Sequence, residues 1–215
     1  MQQEFKLSDI LAFEQRYRAT LINSLGGFKS LVLIGTVNPT GKTNLAVFNS
    51  LFHLGANPPL FGFIVRPDSS DRHTLSNILS TLEFTVNHVH ENFYKQAHQT
   101  SARYNASTSE FDSTGLTPEY RGGHTAPFVK ESKIQIAADF VRKVDLIENG
   151  TSLIIAQIKS ISVPQDCLLT DGFVDLEKAG SLTCSGLDSY HSTKKIARLT
   201  YAKPNTPLSE IHKPK

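Results

Sequence analysis

The chain has 215 residues, a formal net charge of +2 and 39% apolar residues, with no Trp and a single Met. That length fits a single domain over 1–215 with some elaboration, and its core has to come from Phe, Leu, Ile and Val. The small, dispersed charge argues against nucleic acid or an anionic membrane as partner, and no apolar run is long enough to span a bilayer.

In chain order, Ser8 stands as a helix N-cap before apolar residues at helical spacing, which predicts one helix over about 8–25, ended by Gly26-Gly27. Residues 31–37 and 43–48 read as strands around the turn chemistry of Asn38-Pro39-Thr40-Gly41. A polar loop then leads to Pro58-Pro59 and an apolar strand over 60–65. A polar cap at 68–71 precedes a helix over 72–81, and 83–89 alternates as a strand. Residues 91–103 have helical character. Ser107-x-x-Glu110 has the spacing of a capping box for another short helix. A loop rich in Pro, Gly and Thr covers 116–127.

Two longer strands, 134–147 and 152–163, flank Asn149-Gly150, a strong hairpin signal. Short β pieces are expected near 172–174 and 197–201, and the tail 203–215 is polar and expected to be loosely held. Many short strands joined by turns, with a few flanking helices, favour a β-barrel over a parallel sheet.

The motifs exclude more than they assign. Gly41-Lys42-Thr43 invites a triphosphate-binding reading, but five residues separate it from Gly35 and a strand follows it. Without the helix there is no N-terminal dipole for a phosphate, so the triplet reads as a hairpin tip. His88 and His90 share a strand face but have no third ligand at a supporting spacing, so no metal site is expected. No Gly-x-Ser-x-Gly elbow or redox cysteine pair occurs. Cys167 and Cys184, with no export signal at the start, fit free thiols and a cytoplasmic location. The loop after residue 65 carries Arg66 and Arg72 and runs into a helix at His73-Thr74. Anion binding and plain helix capping explain it equally well from spacing alone.

Taken in order, these residues resemble the flavin reductase-like family of FMN-binding split barrels. The likeness is carried by Thr36, Gly41, Asn44, Ala46 and Phe48, then Pro58-Pro59, Thr74-x-x-Asn77-Ile78 and Phe84-x-Val86-Asn87. Ala126-Pro127, Glu131-Ser132, the hairpin over 134–163, Asp171-Gly172 and Tyr190 continue it. The resemblance implies a mostly β, six-stranded Greek-key split barrel with flanking helices, forming a homodimer with non-covalent FMN near its interface. The implied cofactor-binding residues are Thr36, Asn44, Ala46, Phe48, Asn49, Ser50, Leu51, Arg66, Arg72, His73, Thr74 and Asn77. Residues 44–50 would run along the flavin, Arg66, Arg72 and Thr74 would approach the phosphate, and Asn77 would brace the helix start. Many relatives carry Ser where this chain has Asn49, and Asp where it has His73. The implied activity is hydride transfer from NADH or NADPH to bound flavin and on to a flavin or small acceptor. A flavin-carrying electron-transfer or binding protein without such turnover is the alternative. This chemistry needs stacking more than an acid or base, so no catalytic residue stands out. His191 and His98 are the candidates for nicotinamide or substrate contact.

Overall fold

The computed structural model describes residues 1–67, 73–105 and 107–211. Its strands are β1 (Lys29–Ser30), β2 (Val32–Val37), β3 (Thr43–Phe48), β4 (Phe52–Ala56), β5 (Pro59–Val65), β6 (Glu83–His88), β7 (Pro118–Glu119), β8 (Phe128–Val129), β9 (Gln135–Leu146), β10 (Thr151–Ser162), β11 (Thr183–Ser185) and β12 (Ser189–His191). Its helices are α1 (Leu7–Ala12), α2 (Gln15–Leu25), α3 (His73–Thr81), α4 (Tyr94–Gln99), α5 (Glu110–Thr114) and α6 (Leu176–Ala179).

The main sheet is seven-stranded and antiparallel, in the order β3-β2-β6-β9-β10-β5-β4. With its few flanking helices it is a mostly β split barrel. All the long strands read from the sequence lie in it. The additional strand is β4, whose residues the sequence reading left within a polar loop. A register shift between His53 and Gly55 breaks its period-two pattern, which hides it from a periodicity argument.

Alternation decides which side chains enter the barrel. On β2, Val32 and Ile34 point inward to Phe63, Phe84 and Val86, while Leu33, with Leu31 just before the strand, joins Leu45, Val89 and Phe111 on the outer side. Helix α3 closes the inner core with Ile78. A strap over residues 126–129 crosses the outer face of β2 and β6 so closely that a Cβ on Gly35 would stand 2.2 Å from the Pro127 carbonyl oxygen. Thr85 Oγ1 donates to that carbonyl at 2.6 Å, and Asn87 Oδ1 accepts from Val129 N at 2.9 Å.

Several local expectations are corrected. The helix over 8–25 is two helices, because Phe13 and Glu14 adopt extended backbone and the Glu14 carboxylate starts a new helix by accepting from Arg16 N and Tyr17 N. Ser8 lies inside α1; the first cap is Lys6, whose N–H donates to Asp9 at 2.8 Å. Ser107 does not cap α5, which begins after Ser109; its N–H and hydroxyl both bond Asn105 Oδ1. The helix over 91–103 shortens to α4, and the β pieces near 172–174 and 197–201 reduce to single bridges, Leu168 to Val174 and Leu199 to Glu210. β1 adds a small second sheet with β11 and β12. No described helix is long and apolar enough to cross a membrane.

Candidate functional site

The hairpin tip at Gly41 is built by Asn38, whose side-chain oxygen accepts from Thr40 N at 3.0 Å and Lys42 N at 2.8 Å. Gly41 takes φ 87°, and the chain enters β3 directly, so the triplet at 41–43 is a turn and a strand start. This hairpin aligns Thr36 with Asn44, Ile34 with Ala46 and Val32 with Phe48. Asn44, Ala46 and Phe48 therefore share the inward face of β3.

Helix α3 lies over the end of that face. Asn44 Nδ2 donates to Thr74 Oγ1 at 2.9 Å and to Thr36 Oγ1 at 3.4 Å, and Asn77 Nδ2 donates to Thr36 Oγ1 at 3.1 Å. All four side chains are buried. Buried polar groups are tolerable only when bonded, so this chain of bonds fixes the helix start against the β2–β3 hairpin. The Thr36 hydroxyl accepts from two amides and the Thr74 hydroxyl from one. Each keeps its own proton to donate.

The neighbouring wall is apolar. Phe48 packs edge-on to Phe63 with centroids 5.2 Å apart, and Leu51 packs on the inner core. The polar side chains beside it are already engaged by the protein. Asn49 Nδ2 donates to Gly186 O at 3.0 Å, clamping the β11–β12 turn, which Lys29 Nζ also holds at 2.7 Å. Ser50 Oγ donates to Ile64 O and accepts from Ile64 N, at 3.1 and 3.0 Å. Arg66 is exposed just beyond β5. Arg72 lies outside the described residues. His73 opens α3, with its Nε2 buried and lacking a hydrogen-bond partner among the described residues.

The structure thus brings Thr36, Asn44, Ala46, Phe48, Thr74 and Asn77 to one place, with His73 at its edge. His98 and His191 are elsewhere engaged. His98 Nδ1 is in hydrogen-bond contact with the Tyr190 hydroxyl, whose pKa burial pushes up to about 12. His191 Nε2 lies 2.9 Å from Ser185 Oγ and 3.0 Å from Ser189 Oγ, and its ring packs edge-on to Phe28.

One residue of this region went unread. Glu110 is buried, and its carboxylate accepts from Leu45 N at 3.0 Å, covering an edge position of β3. Burial raises its pKa, against the Leu45 N–H and the nearby His73 and Lys42, which lower it. Its spacing from Ser107 predicts a helix cap. No local pattern distinguishes that role from capping a strand sixty-odd residues away.

The Thr74 hydroxyl and a helix start beside an apolar wall suit a planar aromatic ring carrying a phosphate. Among the described residues no group of His, Cys, Asp and Glu could hold a metal ion.

Comparison with known proteins is consistent with this geometry. A family model for the flavin reductase like domain matches residues 25–175. A Shewanella frigidimarina protein described as a flavin reductase with a split barrel domain superposes with TM-score 0.91 at 49% identity, covering 94% of this chain and 100% of that one. Nitrilotriacetate monooxygenase component B from Bacillus cereus shares the fold, with TM-score 0.78 and 20% identity over 91% of this chain and 97% of that one. An uncharacterised Aquifex aeolicus protein is 29% identical over 117 residues, 54% of this chain and 60% of its own length.

Proposed function

Because the chain belongs to the flavin reductase-like family, we propose that it is an FMN-dependent oxidoreductase drawing electrons from NADH or NADPH. The buried network of Thr36, Asn44, Thr74 and Asn77 beside the Phe48 wall carries this reading. Thr74, the start of α3 and Arg66 would hold the phosphate, and Ala46, Phe48 and the backbone of residues 49–51 would flank the ring system. Bound flavin would supply hydride acceptance and release. The protein's part is to hold it, shield one side with Phe48 and Leu51, and leave the other open to a donor and then to a flavin or small acceptor. Asn49 acts indirectly, by setting the β11–β12 turn over the wall.

A homodimer belongs to the same reading. The outer face of β10, β5 and β4 carries Leu60, Ile64, Leu153 and Ile155 next to exposed Phe52 and Leu54. No helix packs on it among the described residues. Such a face is covered most simply by its own copy. Both cysteines are free and buried, which supports a reducing, cytoplasmic setting.

The absorbance spectrum is the test. The purified protein, or protein given FMN and then desalted, should be yellow and should bleach on anaerobic addition of NADPH or NADH. Protein that stays colourless after FMN addition would sink the reading. Yellow protein that neither nucleotide bleaches above background would instead be a flavin carrier without turnover.

A further inference from the structure

We propose that the helical arm formed by α1 and α2 docks on a second copy of this chain, on the bare outer face of that copy's β10, β5 and β4, with the exchange reciprocal. This rests on the homodimer reading above.

The arm is organised yet unsupported. Phe13 packs edge-on to Phe5 and Tyr17 at 5.2 and 4.8 Å, and the Arg18 guanidinium donates to Leu11 O at 2.8 Å. Glu14 caps α2. Neither helix, however, buries a single residue. Leu25 and Phe28 are each 71% exposed, and Leu7, Leu11 and Ile22 are exposed as well. A helix of 11 residues is too short to hold itself together in water, since isolated helices below about 12–15 residues are marginal. Its order therefore calls for a surface to bury this apolar side, and its own barrel does not provide one.

The bare face has the opposite deficit. Phe52 is 41% and Leu54 42% exposed on the edge strand. Their side chains lean over Gly62, where a Cβ would meet Phe52, Leu54 and Leu153 at 3.0 to 3.2 Å. Where β10 pairs with β5, the result is an aliphatic and aromatic surface that gives way to polar Gln157 and Lys159 further along β10.

Three features select a second copy as the occupant. Each chain carries one apolar arm and one bare apolar face, which is the inventory a two-fold, isologous pair requires. The arm leaves the barrel at the rim of that face: Ser30 Oγ donates to Leu51 O at 2.7 Å, one residue before Phe52, and Gly27 at φ 71° turns the chain outward just before it. The arm also lies almost wholly before the matched segment 25–175 and outside the strands that build the barrel. A docked arm would border the second copy's proposed flavin wall, because Ser50 bonds Ile64 on the rim of the face.

Cross-linking tests this directly. Both natural thiols are buried, so introduced surface cysteines react selectively. Chains carrying Ile22→Cys and chains carrying Leu54→Cys are mixed, allowed to exchange subunits, and treated with a short bismaleimide. A covalent heterodimer is expected, and it should disappear when Leu25→Asp is added to the arm. In parallel, Leu11→Asp with Leu25→Asp should weaken dimerisation at least tenfold by sedimentation equilibrium. The urea midpoint of the monomer should be unchanged, because neither residue is buried. An unaltered dimer constant, or no cross-link within a stable dimer, overturns the arm docking and leaves the dimer reading intact. A wild-type chain that is monomeric at all concentrations overturns both, as does an arm that binds lipid vesicles in preference to a second chain.

Discussion

The outer face of the sheet is finished in two different ways. Over β2, β6 and the start of β9 it lies beneath the strap at 126–129, where Gly35, Thr85, Asn87 and Gln135 meet the strap's backbone beside the apolar contact of Leu33 with Val129. Over the paired part of β10, β5 and β4 nothing crosses it among the described residues, and the facing side chains are mostly aliphatic or aromatic. The difference follows from what each half has to satisfy. A strap brings backbone N–H and C=O groups onto the sheet, so the sheet must answer with hydrogen bonds and room. A face awaiting side chains needs only apolar area.

The largest expected effect comes from crowding the strap. Gly35→Val places carbon where Pro127 O and Thr85 Oγ1 stand, at 2.2 and 2.6 Å from the new Cβ. Because backbone has to move, the loss should be about 3 kcal/mol or more, read from urea unfolding. An unchanged midpoint would mean the strap is not seated as described. Removing an answering bond is milder. Asn87→Ala strands the buried Val129 N–H and should cost about 2 kcal/mol in the same assay.

Acid probes a different contact, at the end of β6 on the inward side with Val32. Burial pushes His88 from 6.5 down to about 4, and its Nδ1 lies 3.1 Å from Ser181 Oγ. Above pH 6.5 both folded and unfolded chains carry it neutral, so its contribution is complete. Between 6.5 and 4 the unfolded chain takes up a proton that the fold resists, and about 2 kcal/mol of stability should be lost. His88→Gln should flatten that part of the stability–pH profile; an equally steep profile in the variant would assign the loss to other groups.

The bare half should respond least within one chain. Leu153→Ser, which removes only half-buried apolar area there, should change monomer stability by about 1 kcal/mol or less. It should nevertheless shift the monomer–dimer equilibrium measured by sedimentation. A large loss of monomer stability with no change in association would reverse the contrast between the two halves.

Reading and structure part company for identifiable reasons. The long hairpin β9–β10 was legible because Asn149-Gly150 and extended apolar patterning are local signals, and β2, β3, β5 and β6 likewise. β4 was not, because a bulge shifts its pattern and its apolar side chains face outward. The break between α1 and α2 was missed because Glu14 fits a helical pattern as well as it fits a cap. Of the candidate site, Thr36, Asn44, Thr74 and Asn77 were named from resemblance in motif order, but their mutual bonds were not readable.

The sequence by itself determined six of the strands, the hairpin turns, the absence of a triphosphate loop at 41–43 and the family likeness, because these rest on neighbours in the chain. Only the tertiary structure decided that Asn44 bonds Thr74, that Glu110 covers Leu45, that Asn49 holds Gly186, and that one half of the outer face stays bare. Those contacts join residues 30 to 137 positions apart. A hydrogen bond or an uncovered face depends on which distant segments share space, and local periodicity carries no record of that.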